Sequence, residues 1–342
     1  MTSTIGDLGE FALIDRVTAR FPNTEDVILG PGDDAAILRV PDGRVVASTD
    51  LLVEGRHFTR EWSTGRDVGH KAVSQNLADV AAMAARPTSM LLGLALPRDL
   101  PLAWVDELTD GLAAGCRHAG VTVAGGDVVG SDTLTISVTA FGNLAPGQEP
   151  LRRSGARPGN VVAVCGRLGL SAAGLALVQR GLDEPAACIR AHLRPDPPLD
   201  AGLDAARRNA TAMLDISDGL LQDLGHIAVA SNVAIDLRDA LLPRDPEVVT
   251  ALARLHQLGA GPANEVEFVL GGGEDHALVA TFPRDTDLGS DWIPIGHVTE
   301  LPPQSATEHT HGTRVTVDGR AADIYGWDHL GARDRRMRGR NR

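Results

Sequence analysis

Residues 66–96 read RDVGHKAVSQNLADVAAMAARPTSMLLGLAL, and the fold class follows from the change of pattern inside that stretch. From Arg66 to Ala85 the chain is rich in alanine and has the length of a multi-turn helix. Pro87 marks its expected end, and Met90–Leu96 is an apolar run of buried-strand length. A second helix is expected over Leu102–Ala119, then strands at Val121–Ala124 and Leu134–Gly142 around a Gly125-Gly126-Asp127 turn. Helices alternating with strands give an α/β or α+β fold, in which each element buries its apolar face against a neighbouring layer.

Outward from that stretch the alternation continues. Upstream come a helix over Glu10–Arg20, a strand at Val27–Leu29 before the Gly30 turn, and strands Val45–Ser48 and Leu51–Val53 bracketing Thr49 and Asp50. Downstream, residues 143–160 carry Pro146, Gly147, Pro150, Gly155, Pro158 and Gly159, the best candidate for a connection between domains. Val161–Cys165 resumes as a strand, and a helix over Ser171–Gln179 takes Ser171 as its N-cap. Arg194–Pro198 is a second punctuated stretch, ahead of a helix and the strand Ala212–Ile216. A chain of 342 residues exceeds what one core usually serves, so two domains are expected, 1–150 and 151–330, followed by a basic tail, 331–342, that reads as a disordered end.

Composition narrows the function classes. With 43% hydrophobic but only 3% aromatic residues, the core is built largely from Ala, Val, Leu and Ile. A net charge of -13 argues against nucleic acid as a principal partner, because such a surface needs clustered Lys and Arg. Cys116, Cys165 and Cys188 are widely spaced and odd in number, which suggests neither a disulfide framework nor a Cys-rich zinc site and fits a reducing cytoplasm. The N-terminus lacks a basic start followed by an apolar run, and Met90–Leu96 is too short to span a bilayer.

The chemistry is carried by acids at turns beside glycine or at strand ends: Asp33 and Asp34, Asp50, Asp79, Asp127, and Asp215 with Asp218. Two unit charges about 4 Å apart repel by roughly 4 kcal/mol at an effective dielectric near 20, so convergence of several requires compensation. Raised pKa values are one route; a hard divalent cation with oxygen ligands compensates several acids at once. Magnesium ranks first, manganese second and zinc last. Asp79 falls with Asn76 on the arc of the helix that also holds Val68, Ala72 and Met83, so an acid there needs a reason: metal ligation, a salt bridge to Lys71 or a turn cap. Gly169–Gly174 spaces its glycines as a P-loop does but lacks the Lys and the Ser or Thr that follow them, and adjacent acids at Asp33-Asp34 disfavour direct dinucleotide binding. Metal-bridged phosphate remains consistent with both, and Arg152 and Arg153 are either added positive charge for it or a solvated linker.

Taken in order, Gly9-Glu10-Phe11, Gly32–Ala36, Ser48–Phe58, Asn76–Met83, Gly125-Gly126-Asp127, Arg153–Ala156, Ser171–Leu175, Asp215–Leu220 and Gly272–Asp275 resemble the thiamine-monophosphate kinase family. That family lies within the superfamily of aminoimidazole ribonucleotide synthetase and selenophosphate synthetase. The resemblance runs from about Gly9 to Trp327. It implies a two-domain aminoimidazole ribonucleotide synthetase-like fold whose N-terminal domain contributes to a dimeric β-barrel, with an active site between the domains. It also implies that Asp34, Ser48, Thr49, Asp50, Asp79, Asp127, Asp215 and Asp218 surround several magnesium ions. ATP, the co-substrate, is expected at Gly126, Asp127, Arg153 and Ser217, and thiamine monophosphate at His57, Glu274 and Trp327. Val128-Val129 stand where Thr is frequent, His276 where Tyr is common, and Trp327 where Tyr often stands. The implied reaction is transfer of the γ-phosphoryl group of ATP to the phosphate of thiamine monophosphate. That acceptor is already anionic, so no dedicated general base is assigned. Another ATP-dependent synthetase of the superfamily, a noncatalytic nucleotide-binding regulator and a metal-dependent phosphatase are the alternatives, told apart by acceptor and product.

Overall fold

The structure is a computed structural model that describes residues 4–32, 34–301, 314–322, 324 and 326. The chain separates into two units, Met1–Leu151 with Leu193–Arg207, and Arg152–His192 with Arg208–Arg342. In chain order the elements up to the first division are α1 (Ile5–Leu8), α2 (Glu10–Thr18), β1 (Val27–Leu29), β2 (Ile37–Leu38), β3 (Val46–Val53), α3 (Gly65–Ala82), β4 (Arg86–Leu96), α4 (Leu102–Ala119), β5 (Thr122–Gly130) and β6 (Thr135–Asn143).

The first unit is built on a four-stranded sheet in the order β3-β6-β4-β5. The parallel β4 and β5 are joined through α4, and the other neighbours are antiparallel. Thr64 starts α3 with a capping box, accepting the Asp67 N–H while the Asp67 carboxylate takes the Thr64 N–H. The helix stops at Ala82, ahead of Pro87, because Ala84 turns left-handed at φ 57° and sends the chain into β4 with Pro87 already inside the strand. α3 packs on β3, β4, β6 and α4, and its Val73, Leu77 and Val80 join Leu52, Met90, Leu92, Ile136 and Val138 in one core.

Two expectations for this unit need correction. Thr49 and Asp50 do not separate two strands: β3 runs through them, paired with β6 residue by residue from Val46–Gly142 to Val53–Thr135. An acid is tolerated there because β3 is an edge strand and Asp50 is only partly buried. Nor is Gly125-Gly126-Asp127 a turn, since all three lie inside β5. Gly126 answers a close strand approach, because a Cβ there would meet the Leu92 carbonyl oxygen at 1.9 Å.

After the first division come β7 (Val161–Cys165), α5 (Leu170–Val178), α6 (Ala186–Leu193), α7 (Leu199–Arg207), β8 (Ala212–Asp215), α8 (Leu220–Ser231), β9 (Ala234–Leu237), α9 (Pro246–Gln257), α10 (Val266–Gly271), β10 (Leu278–Phe282), β11 (Ile293–Thr299), β12 (Val315–Val317) and β13 (Arg320–Ala321). The second unit carries a seven-stranded sheet, β13-β12-β9-β11-β7-β10-β8, antiparallel except where β12 lies beside β9. Leu220, Leu224 and Ile227 of α8 pack in its core with Val162, Val164, Leu214 and Val279. α7 returns to the first unit and packs on α3, a departure from a single boundary at residue 150. Gly202 permits the approach, since a Cβ there would stand 1.9 Å from the Ala81 carbonyl oxygen. All three cysteines are buried thiols outside any disulfide, and no helix among the described residues is long and apolar enough to cross a membrane. The basic tail, 331–342, lies outside the described residues.

Candidate active site

Alternation along β3 sends Ser48, Asp50 and Leu52 toward the helices and Thr49 and Leu51 to the other face, so Leu52 is 2% exposed and Leu51 52%. α3 crosses the first set with two polar side chains three residues apart on one face. Asp79 accepts the Ser48 hydroxyl at 2.6 Å. Asn76, 1% exposed, accepts the Asp50 N–H at 3.2 Å while its amide donates to the Ala72 carbonyl at 2.8 Å. Ser48, Asp50 and Asp79 are thereby held on a clasp between an edge strand and a buried helix. The polar reason for Asp79 on that arc includes this Ser48 hydroxyl.

β3 then turns through Gly55, at φ 78°. His57 folds back so that its Nδ1 accepts the Val53 N–H at 3.0 Å, which leaves the ring proton on Nε2. Beneath it Lys71, 3% exposed, donates to the His57 carbonyl oxygen at 3.5 Å. On the opposite face of the sheet the Thr139 hydroxyl donates to Thr49 Oγ1 at 3.0 Å, and Thr49 Oγ1 donates to the Val138 carbonyl. The register Thr49–Thr139–Leu91–Gly125 sets Asp127, two residues on, on this same face. Asp34 belongs to the loop before β2, and Ala36 in that loop stands 4.0 Å from the position of a Cβ on Gly125. The eight implied metal residues thus fall into three groups: the clasp, the Thr49 face with the Asp34 loop, and Asp215 with Asp218 in the second unit.

In the second unit β8 ends at Asp215, and residues 216–219 turn into α8. Asp223 reaches back and accepts the N–H groups of Ser217, Asp218 and Gly219 at 3.1, 3.0 and 3.1 Å. Burial, with Asp215 and Asp218 adding like charge, pushes Asp223 up to about 8, against the pull of the Asp218 and Gly219 N–H donors. Residues 274–276 are stitched to the same turn: Glu274 N–H donates to the Ser217 carbonyl at 2.8 Å and His276 N–H to that of Ile216 at 2.9 Å. Glu274 and His276 are left-handed, at φ 62° and 53°, and such non-glycine strain gathers at functional sites. The three side chains diverge. His276 Nδ1 lies 3.1 Å from Asp215 Oδ2, Glu274 faces His192 at 3.4 Å, and Asp275 accepts the Gly169 and Ser171 N–H groups at 2.6 and 2.8 Å. Burial pushes Asp275 up to about 7.

Asp275 therefore supplies the cap expected of Ser171, which sits inside the first turn of α5 behind an N-cap at Gly169. Arg153 is exposed, its segment stapled by Ser231, whose hydroxyl donates to the Arg153 carbonyl and accepts from the Gly155 and Ala156 N–H groups. Trp327 lies outside the described residues, while Gly326 rests against Asp218, where a Cβ would come within 2.3 Å of its carbonyl oxygen. The sequence reading missed Asn76 as a clamp, gave Asp275 no role although it quoted the Gly272–Asp275 motif, and missed Asp223 and His192 altogether. A signal existed for Asp223, which shares the apolar face of α8 with Leu220, Leu224 and Ile227.

Among the described residues no three His, Cys, Asp or Glu side chains already form a metal-binding group. The donors nevertheless suit magnesium. They are hard oxygens, and this ion takes one or two carboxylates, completing its shell with water and substrate phosphate. Burial first, and the like charge of Asp215 and Asp218 after it, raise the pKa of Asp223 at the β8–α8 turn, and a cation held by Asp215 and Asp218 would offset the like-charge part.

Known proteins resemble this chain in sequence and fold across nearly its whole length. The family models for the AIR synthase related protein match over residues 32–144 with the N-terminal domain and 157–301 with the C-terminal domain. A thiamine-monophosphate kinase of Mycobacterium tuberculosis is 46% identical over 332 residues, 97% of this chain and 94% of the relative. The crystal structure of thiamine-monophosphate kinase from Stenotrophomonas maltophilia K279a is 36% identical with a TM-score of 0.77, covering 92% of this chain and 98% of that one. The structure of AaThiL complexed with AMPPCP and TMP is 33% identical with a TM-score of 0.73, covering 96% and 100%. The two matched domains, the shared fold and the identity to named enzymes place this chain in the AIR synthase related family, among the thiamine-monophosphate kinases.

Proposed function

We propose that this enzyme transfers the γ-phosphoryl group of ATP to the phosphate of thiamine monophosphate, giving thiamine diphosphate and ADP, with magnesium held by Asp34, Ser48, Thr49, Asp50, Asp79, Asp127, Asp215 and Asp218. The observation that carries this reading is the clasp in which α3 holds Ser48 through Asp79 and Asp50 through Asn76. It fixes hard oxygen donors on rigid elements, and AaThiL, of the same fold, is complexed with AMPPCP and TMP. Bound magnesium neutralises the phosphate oxygens of two polyanions. The chain's own residues do the rest. Gly126, Asp127, Arg153 and Ser217 hold the nucleotide, Ser217 through its hydroxyl because its N–H is engaged by Asp223. His57, Glu274 and Trp327 hold the thiamine moiety, with His57 offering Nε2–H. The acceptor phosphate is anionic near neutral pH, so alignment and charge neutralisation suffice and no side chain removes a proton.

Incubation with ATP, magnesium and thiamine monophosphate is expected to yield thiamine diphosphate and ADP in equal amounts, identified by chromatography and mass spectrometry. Inorganic phosphate without thiamine diphosphate points to a phosphatase instead, and ATP binding without any product to a regulator. The enzyme acts in the cytoplasm as a homodimer joined through the face of the four-stranded sheet that carries Leu51, 52% exposed, and Val129, 50% exposed. Light scattering that gives the mass of one chain rules the dimer out.

A further inference from the structure

We propose that His192 is a positioning residue that aims the Glu274 carboxylate at the cationic ring of thiamine monophosphate, an inference that rests on the phosphoryl-transfer reading above. His192 sits near the end of α6, 3% exposed, with Nδ1 at 3.4 Å from Glu274 Oε2 and 3.3 Å from Ser171 Oγ. An ionised carboxylate facing a bare imidazole nitrogen is repelled by its lone pair. With the proton on Nδ1 the same contact attracts, and the Ser171 oxygen accepts a share of that proton.

The packing places His192 there. Gly174 of α5 lets α6 approach, because a Cβ at that position would lie 2.1 Å from the Cys188 carbonyl oxygen and 3.0 Å from His192 Cβ. At its other end Glu274 is fixed by its left-handed backbone and its N–H bond to Ser217. The carboxylate is thus defined at both ends, once by the loop and once by His192. The thiazolium ring of thiamine is positively charged throughout the reaction. A carboxylate aimed at it therefore binds ground state and transition state alike and acts on KM while leaving kcat unchanged.

The test compares His192→Asn, which keeps a donor near the place of Nδ1, with His192→Gln, whose donor falls near Nε2, and His192→Phe, which has none. Steady-state kinetics are expected to show KM for thiamine monophosphate raised about tenfold in the Gln and Phe variants, the scale of one hydrogen bond to a charged group. The Asn variant stays within about twofold of the parent, and kcat and the KM for ATP stay within about twofold in all three. Should the Phe variant not fold, Asn against Gln decides. Unchanged KM in the Gln variant, an Asn variant as impaired as Gln, or KM values that rise for both substrates together overturn the role. Those outcomes come from an enzyme that makes thiamine diphosphate. A parent protein that makes none sinks the reaction itself and takes this inference with it.

Discussion

At the clasp, a 2.6 Å hydroxyl-to-carboxylate bond and a buried amide decide where two acids of the first unit stand. Asp50→Asn keeps the backbone N–H that Asn76 accepts, so the strand stays in place while a charge is lost. Turnover is expected to fall by about 100-fold or more, the scale of removing one preorganised electrostatic contact, with a melting temperature within a few degrees of the parent. Full activity in that variant removes Asp50 from the metal set. Asn76→Ala separates position from charge. It strands the Asp50 N–H without its acceptor, at a cost of about 1–3 kcal/mol, and is expected to lower both melting temperature and turnover although every carboxylate remains. Asp79 was legible as an acid on a helix arc shared with Val68 and Ala72, because burial of charge breaks a periodic pattern. The role of Asn76 was not, because an amide on the same arc signals nothing until the strand it clamps is known.

Glycine decides how closely the helices pack. α3 and α4 approach through Gly69 and Gly111, where a Cβ would stand 2.2 Å from the Leu108 carbonyl oxygen and 2.2 Å from that of Arg66. Alanine in a helix interior ordinarily gains about 1 kcal/mol over glycine. Here the added methyl meets backbone that has no rotamer to yield, and overpacking typically costs about 1–3 kcal/mol. Gly69→Ala is therefore expected to lower the melting temperature in calorimetry, and an unchanged or raised value contradicts the close packing. At this scale the chain was legible wherever period and length agreed, as for the helix over Leu102–Ala119 and the strand Val161–Cys165. It misled where glycine stood for close approach: Gly125-Gly126-Asp127 has the composition of a turn and lies inside a strand, since local propensity carries no information about the neighbour that excludes a Cβ.

Across the whole molecule the order of motifs made the fold readable, whereas the return of α7 to the first unit showed only as the punctuated stretch Arg194–Pro198, whose composition does not say which unit the following helix joins. Acid balance is likewise a property of the assembled chain, because Asp223 meets Asp215 and Asp218 only once β8 and α8 are in place. Its folded pKa, about 8, and that of Asp275, about 7, lie above the ordinary aspartate value of 3.8. Between that value and the folded ones the unfolded chain has released protons that the folded chain retains. Stability contributed by these two groups is therefore complete below the unfolded pKa and is lost as pH rises through about 7 to 8. Half-buried carboxylates with lowered values, such as Asp106 beside Arg16, act in the opposite direction and only at acid pH. In chelator, calorimetry is expected to show the melting temperature falling from pH 6 toward pH 8.5. Asp223→Asn carries no ionisable group and retains an acceptor for the turn, so it is expected to flatten that fall. Magnesium is expected to raise the melting temperature more at pH 8 than at pH 6, because the cation binds the ionised acids. A pH-independent melting temperature in chelator, or a magnesium effect that shrinks as pH rises, contradicts the crowding of charge at the β8–α8 turn.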